Sequence, residues 1–220
     1  MADNSDQKPP IPMPYPIKKK TAKRGFTLVE LLVVIAIIGI LAAILLPVLG
    51  LVGDRARLAQ TRAKFNQWSM ALENYRSTYG FYPPAIIPEG NAGTPVSMNT
   101  LEASQNFVRA LSGRNLNGSP LSADDRRTHN RNQIEFYSFT DDDFLRDVGG
   151  EPLPEGDTRL RLADAFNNPN IFIQYDRNGN GRVEGAPRGT LSHDPLRQRL
   201  IIYSLQSPAT PGSRDVGSWD

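Results

Sequence analysis

No cysteine occurs among the 220 residues, which excludes a disulfide framework and any thiol chemistry. Histidine is scarce too. His129 and His193 are the only two, and without thiolates to join them a zinc centre is not expected. Ser192, His193 and Asp194 supply the residue types of a triad, but side chains of consecutive residues do not converge as nucleophilic catalysis requires. No glycine-rich phosphate loop leads into a helical pattern. With no credible catalytic constellation, an enzyme is not expected. An exported domain lacking disulfides must hold together by packing, by docking on a long helix, or by metal.

Charge is the most informative absence. From Leu31 to Gly53, 23 consecutive positions carry none. That exceeds the roughly 20 residues needed to cross a bilayer, and a buried core helix rarely stays uncharged on every face for so long. Upstream, residues 1–25 hold six bases against two acids, a net of +4, so the formal +2 of the whole chain leaves −2 for residues 26–220. The basic excess belongs to the first segment and gives no reason to expect nucleic acid as a partner. Pro9, Pro10, Pro12, Pro14 and Pro16 make that segment a flexible tail that buries no core. The basic side of a membrane helix stays cytoplasmic, which places everything after Asp54 across the membrane. The apolar stretch is too long for a cleaved secretory signal, and Pro47 to Gly53 offers no small-residue cleavage pattern.

A plain membrane anchor leaves Glu30 unexplained, because it stands directly before the uncharged run. One reading is an edge carboxylate that snorkels towards water, helped by the positive end of the helix dipole. The other supplies a cation. A cut after Gly25 would give Phe26 a free, largely protonated amine, and Glu30 of a neighbouring copy would pair with it inside the apolar bundle. The run Lys23-Arg24-Gly25-Phe26-Thr27-Leu28-Val29-Glu30-Leu31-Leu32-Val33-Val34-Ile35 resembles the processing and methylation signature of type IV prepilins and type II secretion pseudopilins. The resemblance implies that a membrane prepilin peptidase cuts between Gly25 and Phe26, that Phe26 is N-methylated, and that Glu30 is the assembly glutamate. Gly39 and Pro47 match positions where the family has a helix-weakening glycine and proline.

Past Gly53 the apolar pattern turns periodic. Leu58, Phe65, Trp68, Leu72, Tyr75 and Tyr79 recur at helical spacing between polar residues. The spacing predicts an amphipathic helix continuous with the membrane helix, kinked or locally melted at Pro47 and ending near Gly80, before Pro83-Pro84. From Phe26 to Tyr79 this is about 80 Å of helix. Only about 30 Å fits the hydrocarbon, so the second half must present its stripe to a domain. A short helix is expected over 100–111, a polar surface loop over 114–132, a strand over 133–139, and a helix opening at Thr140 and running towards Val148. Strands are expected over 170–175 and 199–205. The fold class is therefore α+β: a long N-terminal helix packed on a small antiparallel sheet. Its divisions are a leader (1–25), a membrane and assembly helix (26–53), an amphipathic continuation (54–80) and a globular domain (81–220).

Asp164-Ala165-Phe166-Asn167-Asn168-Pro169, then Ile201-Ile202-Tyr203-Ser204-Leu205, then Asp215-Val216-Gly217-Ser218-Trp219 resemble the major pseudopilin of type II secretion systems. That resemblance implies a filament of like subunits in the periplasm, other pseudopilins and an inner-membrane secretion platform as partners, and a calcium loop to which Asp215 would contribute. A second calcium candidate rests on spacing. Asp176, Asn178, Asn180 and Gly181 fit positions 1, 3, 5 and 6 of an EF-hand-type loop, Arg182 offers a carbonyl, and Glu184 is the ninth position. Pro187 stands at the twelfth position, and Asn-Gly pairs also make plain hairpin turns, so calcium site and hairpin both stand. The expected function is a structural subunit of a type II secretion pseudopilus, anchored once in the inner membrane and contacting its lipid. The alternatives are a type IV pilin or minor pilin for adhesion, motility or DNA uptake, and a membrane-tethered enzyme.

Overall fold

The computed structural model describes residues 25–87, 94–154, 156–157, 159–176, 178–185, 196–208, 210 and 212–219, with the backbone alone for 46–51. Pro187, Ser192, His193, Asp194 and the leader up to Arg24 lie outside the described residues. The chain forms two compact units, one up to Val48 and the other from Leu49 onward.

Helix α1, Leu28–Tyr79, begins in the first unit. There every side chain from Leu28 to Leu41 is exposed, although nearly all are Leu, Ile or Val. Leu28–Leu45 is long and apolar enough to cross a membrane. Pro47 falls inside α1 and the helix runs through it unbroken, so the expected local melting does not occur.

In the second unit α1 carries the core stripe. Phe65, Trp68, Leu72 and Tyr75 are at most 2% exposed, at the three- and four-residue spacing that places them on one helix face. Against them pack Phe107 and Leu111 of α2 (Leu101–Ser112) and Met98. Fully burying each of these aliphatic and aromatic side chains contributes roughly 1.5–3 kcal/mol. Trp68 meets the Phe107 ring edge-on at 5.3 Å and the Tyr137 ring at 6.4 Å.

The sheet has four antiparallel strands in chain order: β1 (Val96–Ser97), β2 (Ile171–Tyr175), β3 (Leu200–Ser204) and β4 (Val216–Gly217). β2 and β3 pair over five residues, Ile171 opposite Ser204 and Tyr175 opposite Leu200. Alternation sends Ile171, Ile173, Leu200 and Ile202 into the helix-facing core. Ile201 and Tyr203 point to the other face, where Val183, Leu196, Phe172 and Trp219 cover them. Both faces of β3 are thereby buried, which explains its unbroken apolar sequence.

Helix α2 is bounded as its sequence dictates. The Thr100 hydroxyl accepts from the Ala103 amide at 3.1 Å, and Gly113 ends the helix at φ +69. Three expectations beyond it are corrected. The segment 133–139 is not a strand. The amides of Phe136 and Tyr137 both donate to the carbonyl of Leu111, closing the end of α2, and the side chain of Asn130 takes the carbonyls of Ala110 and Ile134. Its alternating aromatics pack on α1 instead, Phe136 against Tyr75 and Tyr137 against Trp68. The polar stretch 114–132 is not all loop, because it holds α3 (Ala123–Thr128), capped by Ser122. The helix opening at Thr140 is a single 3-10 turn, Asp141–Asp143. The expected capping box forms, with the Thr140 amide donating to Asp143 Oδ2 at 2.9 Å. The chain then extends at Phe144, where the Leu145 amide donates to the carbonyl of Arg161.

Candidate functional site

At the N-terminus, Gly25 and Phe26 are exposed and precede the helix, Phe26 being 80% exposed. Glu30 folds back on the helix start. Its Oε2 accepts from the Thr27 amide at 2.8 Å and the Thr27 hydroxyl at 2.9 Å, and the Thr27 hydroxyl accepts from the Glu30 amide at 3.2 Å. This is a capping box. Thr27 was not singled out from sequence, although Thr-x-x-Glu before an apolar run is its signature. The carboxylate thus has an internal partner at the first turn, within reach of the backbone next to Phe26.

In the second unit, the side chain of Lys64 points into the protein from the core-facing side of α1 and is 6% exposed. Its ammonium donates to the carbonyls of Asp142 (2.5 Å) and Ala163 (3.1 Å) and lies 3.6 Å from the buried Asp143 carboxylate. Burial lowers its pKa against the opposing pull of Asp143, Asp164 and Asp142. One turn away, Thr61 Oγ1 accepts from the Ala165 amide at 3.1 Å. Asp164 organises the turn that follows. Its Oδ1 accepts from the amides of Phe166 (2.8 Å) and Asn168 (3.0 Å), and its Oδ2 from the Ser204 hydroxyl (2.8 Å). Burial nonetheless raises its pKa. This cluster ties the helix, the 164–168 turn and the end of β3 together. A lysine falling between Thr61 and Phe65 in the core stripe was the sequence signal for it.

The 176–184 segment leaves β2 as a chain of side-chain-to-backbone turns. Asp176 Oδ1 accepts from the Gly179 amide (3.0 Å) and Oδ2 from the Gly181 amide (2.6 Å). Asn178 accepts from the Asn180 amide (3.1 Å), and Asn180 from the Arg182 amide (2.8 Å). Asn180 also donates to the Glu184 carboxylate at 3.1 Å, and Gly181 has φ +77. Asp215 lies elsewhere: its Oδ1 accepts from the Gln206 amide at 2.6 Å, tying the terminal segment to the end of β3. Among the described residues, no group of three or more His, Asp or Glu stands ready to hold a metal ion. His129 has a structural position, its ring nitrogens meeting the Asp125 carbonyl and Asn106 Oδ1.

An exposed apolar helix preceded by Gly-Phe, followed by a helix-on-sheet domain, defines a membrane-anchored subunit of the pilin type. Comparison with known proteins agrees. Residues 20–46 match the prokaryotic N-terminal methylation motif. The chain is 38% identical over 95 residues to the type IV wide pilus major component PilA4 of Thermus thermophilus, covering 41% of this chain and 72% of that protein. It is 36% identical over 75 residues to a type IV major pilin protein PilE1 of Neisseria gonorrhoeae, 34% of this chain and 46% of that one, so it spans under half of the gonococcal pilin. A fimbrial protein of Neisseria meningitidis is 25% identical over 146 residues, 66% of this chain and 82% of its own. No solved structure matches. The chain belongs to the type IV pilin family. Its relatives are structural pilus components, and it is a type IV pilin-like structural subunit, not an enzyme; among the described residues, one N-terminal apolar helix fits a membrane anchor.

Proposed function

We propose that the chain is cut between Gly25 and Phe26 by a prepilin peptidase, is N-methylated on Phe26, and assembles through α1 into a pseudopilus that drives protein secretion. The observation carrying the processing step is the exposed Gly25-Phe26 segment immediately before a methylation-motif helix whose apolar side chains from Leu28 to Leu41 are exposed. Intact-mass measurement of the membrane-extracted protein gives a chain starting at Phe26 with one added methyl group. Retention of residues 1–25 in cells with an active prepilin peptidase would falsify the proposal.

The secretion assignment draws support from the Asp164 turn joined to Ser204 and from Trp219 packed on Tyr203, the segments that resemble the major pseudopilin. The partners on that reading are further pseudopilins, the inner-membrane secretion platform and membrane lipid. A type IV pilus is the second reading, favoured by the printed identities of the relatives, which are pilus components. Deleting the gene separates them. Loss of exported enzymes from the medium with surface pili intact supports the first, and loss of surface pili with secretion intact supports the second.

Calcium belongs to the same reading. The turns at Asp176, Asn178 and Asn180 repeat at alternate residues and hold those side-chain oxygens along one loop, with glycine at the sharp bend. The Arg182 carbonyl and the Glu184 carboxylate would complete the set. Calcium then raises the melting temperature of the detergent-solubilised protein, and Asp176→Ala abolishes the rise. An unchanged melting temperature in the parent protein leaves a hairpin turn.

A further inference from the structure

We propose that the 147–151 turn of one subunit seats in a cationic, aromatic cavity beside Tyr175 of a second copy, forming a head-to-tail contact of the filament. The inference rests on this chain being a filament subunit.

The turn is built as a rigid projection. The Asp147 amide donates to the Glu151 carbonyl at 2.9 Å, the Gly150 amide donates to the Asp147 carbonyl at 3.1 Å, and Arg146 bridges to Pro152. Asp147 Oδ1 also accepts from the Glu151 amide at 2.9 Å. At the tip stands Val148, an apolar side chain that is 106% exposed. Packing within the subunit gives this valine nothing. Carboxylates flank it at Asp147 and Glu151. Glu151 is exposed, and its side chain has no ion pair among the described residues.

The cavity has the complementary character. It encloses about 300 Å³ between Phe81, Tyr82 and Tyr175, with Arg76 and Arg199 at its sides. The guanidinium of Arg76 lies 5.1 Å from the Tyr82 ring centre, and the Tyr82 and Tyr175 rings are 6.1 Å apart. Phe81 is half exposed. Arg199 is exposed and likewise has no ion pair among the described residues. The acid at the cavity, Asp176, directs both oxygens to backbone amides. An apolar tip between two carboxylates therefore meets an aromatic cleft edged by a guanidinium with no ion pair among the described residues.

Position excludes an internal contact and favours a propagating one. The turn is tied to Asn167, whose amide oxygen accepts from the Arg146 amide at 2.7 Å, on the Asn168–Ser204 side of the sheet. The cavity lies at the other end of the same strands, at Tyr175 and Arg199. Along α1, the loop bearing the turn is anchored at Lys64 and the cavity at Arg76, twelve residues further on, or about 18 Å of helix. Two copies with parallel helices make this contact only when one is displaced axially by about that distance. A knob and a cleft at opposite ends of one chain join heterologously, and such contacts extend into helical filaments.

The absence of cysteine makes the test direct. In filaments carrying both Val148→Cys and Phe81→Cys, a short bis-maleimide yields a ladder of trimers and longer chains on a denaturing gel. Each single variant yields monomers, and co-expressed single variants stop at dimers. Double-variant filaments without a ladder, or cross-linking by Val148→Cys alone, overturn the proposal, the latter because it reveals a two-fold contact. Charge exchange is the second arm. Glu151→Arg and Arg199→Glu each lower filament yield about tenfold at unchanged monomer melting temperature, and together they restore it to within about twofold. A double variant as poor as either single one, or single variants that assemble normally, also overturn it.

Discussion

Asp164 concentrates the most consequence in one side chain. It is 3% exposed yet accepts three hydrogen bonds from separate places in the chain, and Lys64 lies close enough to oppose the effect of burial. Asp164→Ala leaves two buried amides and the Ser204 hydroxyl without their acceptor, and destabilises by about 3–5 kcal/mol. Asp164→Asn keeps an acceptor and loses less, about 1–2 kcal/mol near neutral pH. Neither variant titrates at this position, so each differs from the parent in pH dependence. Because burial raises the carboxyl pKa, the native state holds its proton above the ordinary value of 3.8. The contribution of that proton is full below 3.8 and is lost as pH rises through the folded-state value. Asp164→Asn has no such loss, so its deficit relative to the parent shrinks as pH climbs from about 4. Urea unfolding at a series of pH values measures this. A deficit that widens with pH means the donors outweigh burial.

At the scale of elements, legibility followed the directness of the local code. Helix α2 was readable because Thr100 and Gly113 mark its ends and Phe107 and Leu111 its inner face. Strands β2 and β3 were readable because their apolar runs are short and bounded by turn residues. The segment 133–139 misled because alternation predicts a strand only if another strand is there to pair with. Here the backbone donors go to the last turn of α2 and the rings go to α1. Lys64 shows its inward position in the stripe, but its partners are illegible for a related reason, being carbonyls 78 and 99 residues away in sequence. The close approach beneath α2 gives a prediction. A Cβ on Gly113 would lie 2.7 Å from the backbone of Gln133, at φ +69 where side chains are already disfavoured. Gly113→Ala therefore costs about 2–3 kcal/mol. Its effect falls on the 133–139 crossing, so amide exchange there accelerates ahead of exchange in β3. Uniform acceleration across the domain means that Gly113 does no more than end the helix.

For the whole molecule, the open question is what Glu30 does once the chain enters a filament. In the single chain it closes a capping box with Thr27, so its presence is explained by local helix chemistry alone. The proposed filament adds a second demand: a carboxylate to meet the amine freed at Phe26 on a neighbouring copy. Glu30→Gln separates the two roles. Glutamine still accepts from the Thr27 amide and serves at the third helical position of the box, but it has no charge to offer. If the cap is the whole role, filament yield for Glu30→Gln matches the parent, while Glu30→Ala falls. If the ion pair organises assembly, both variants are processed at Gly25, stay in the membrane as monomers and form few filaments, because the apolar bundle then encloses an uncompensated amine. We expect the second outcome, measured as sheared filament against processed membrane pool. Full assembly by Glu30→Gln would remove the charge pairing and leave Glu30 as a helix cap.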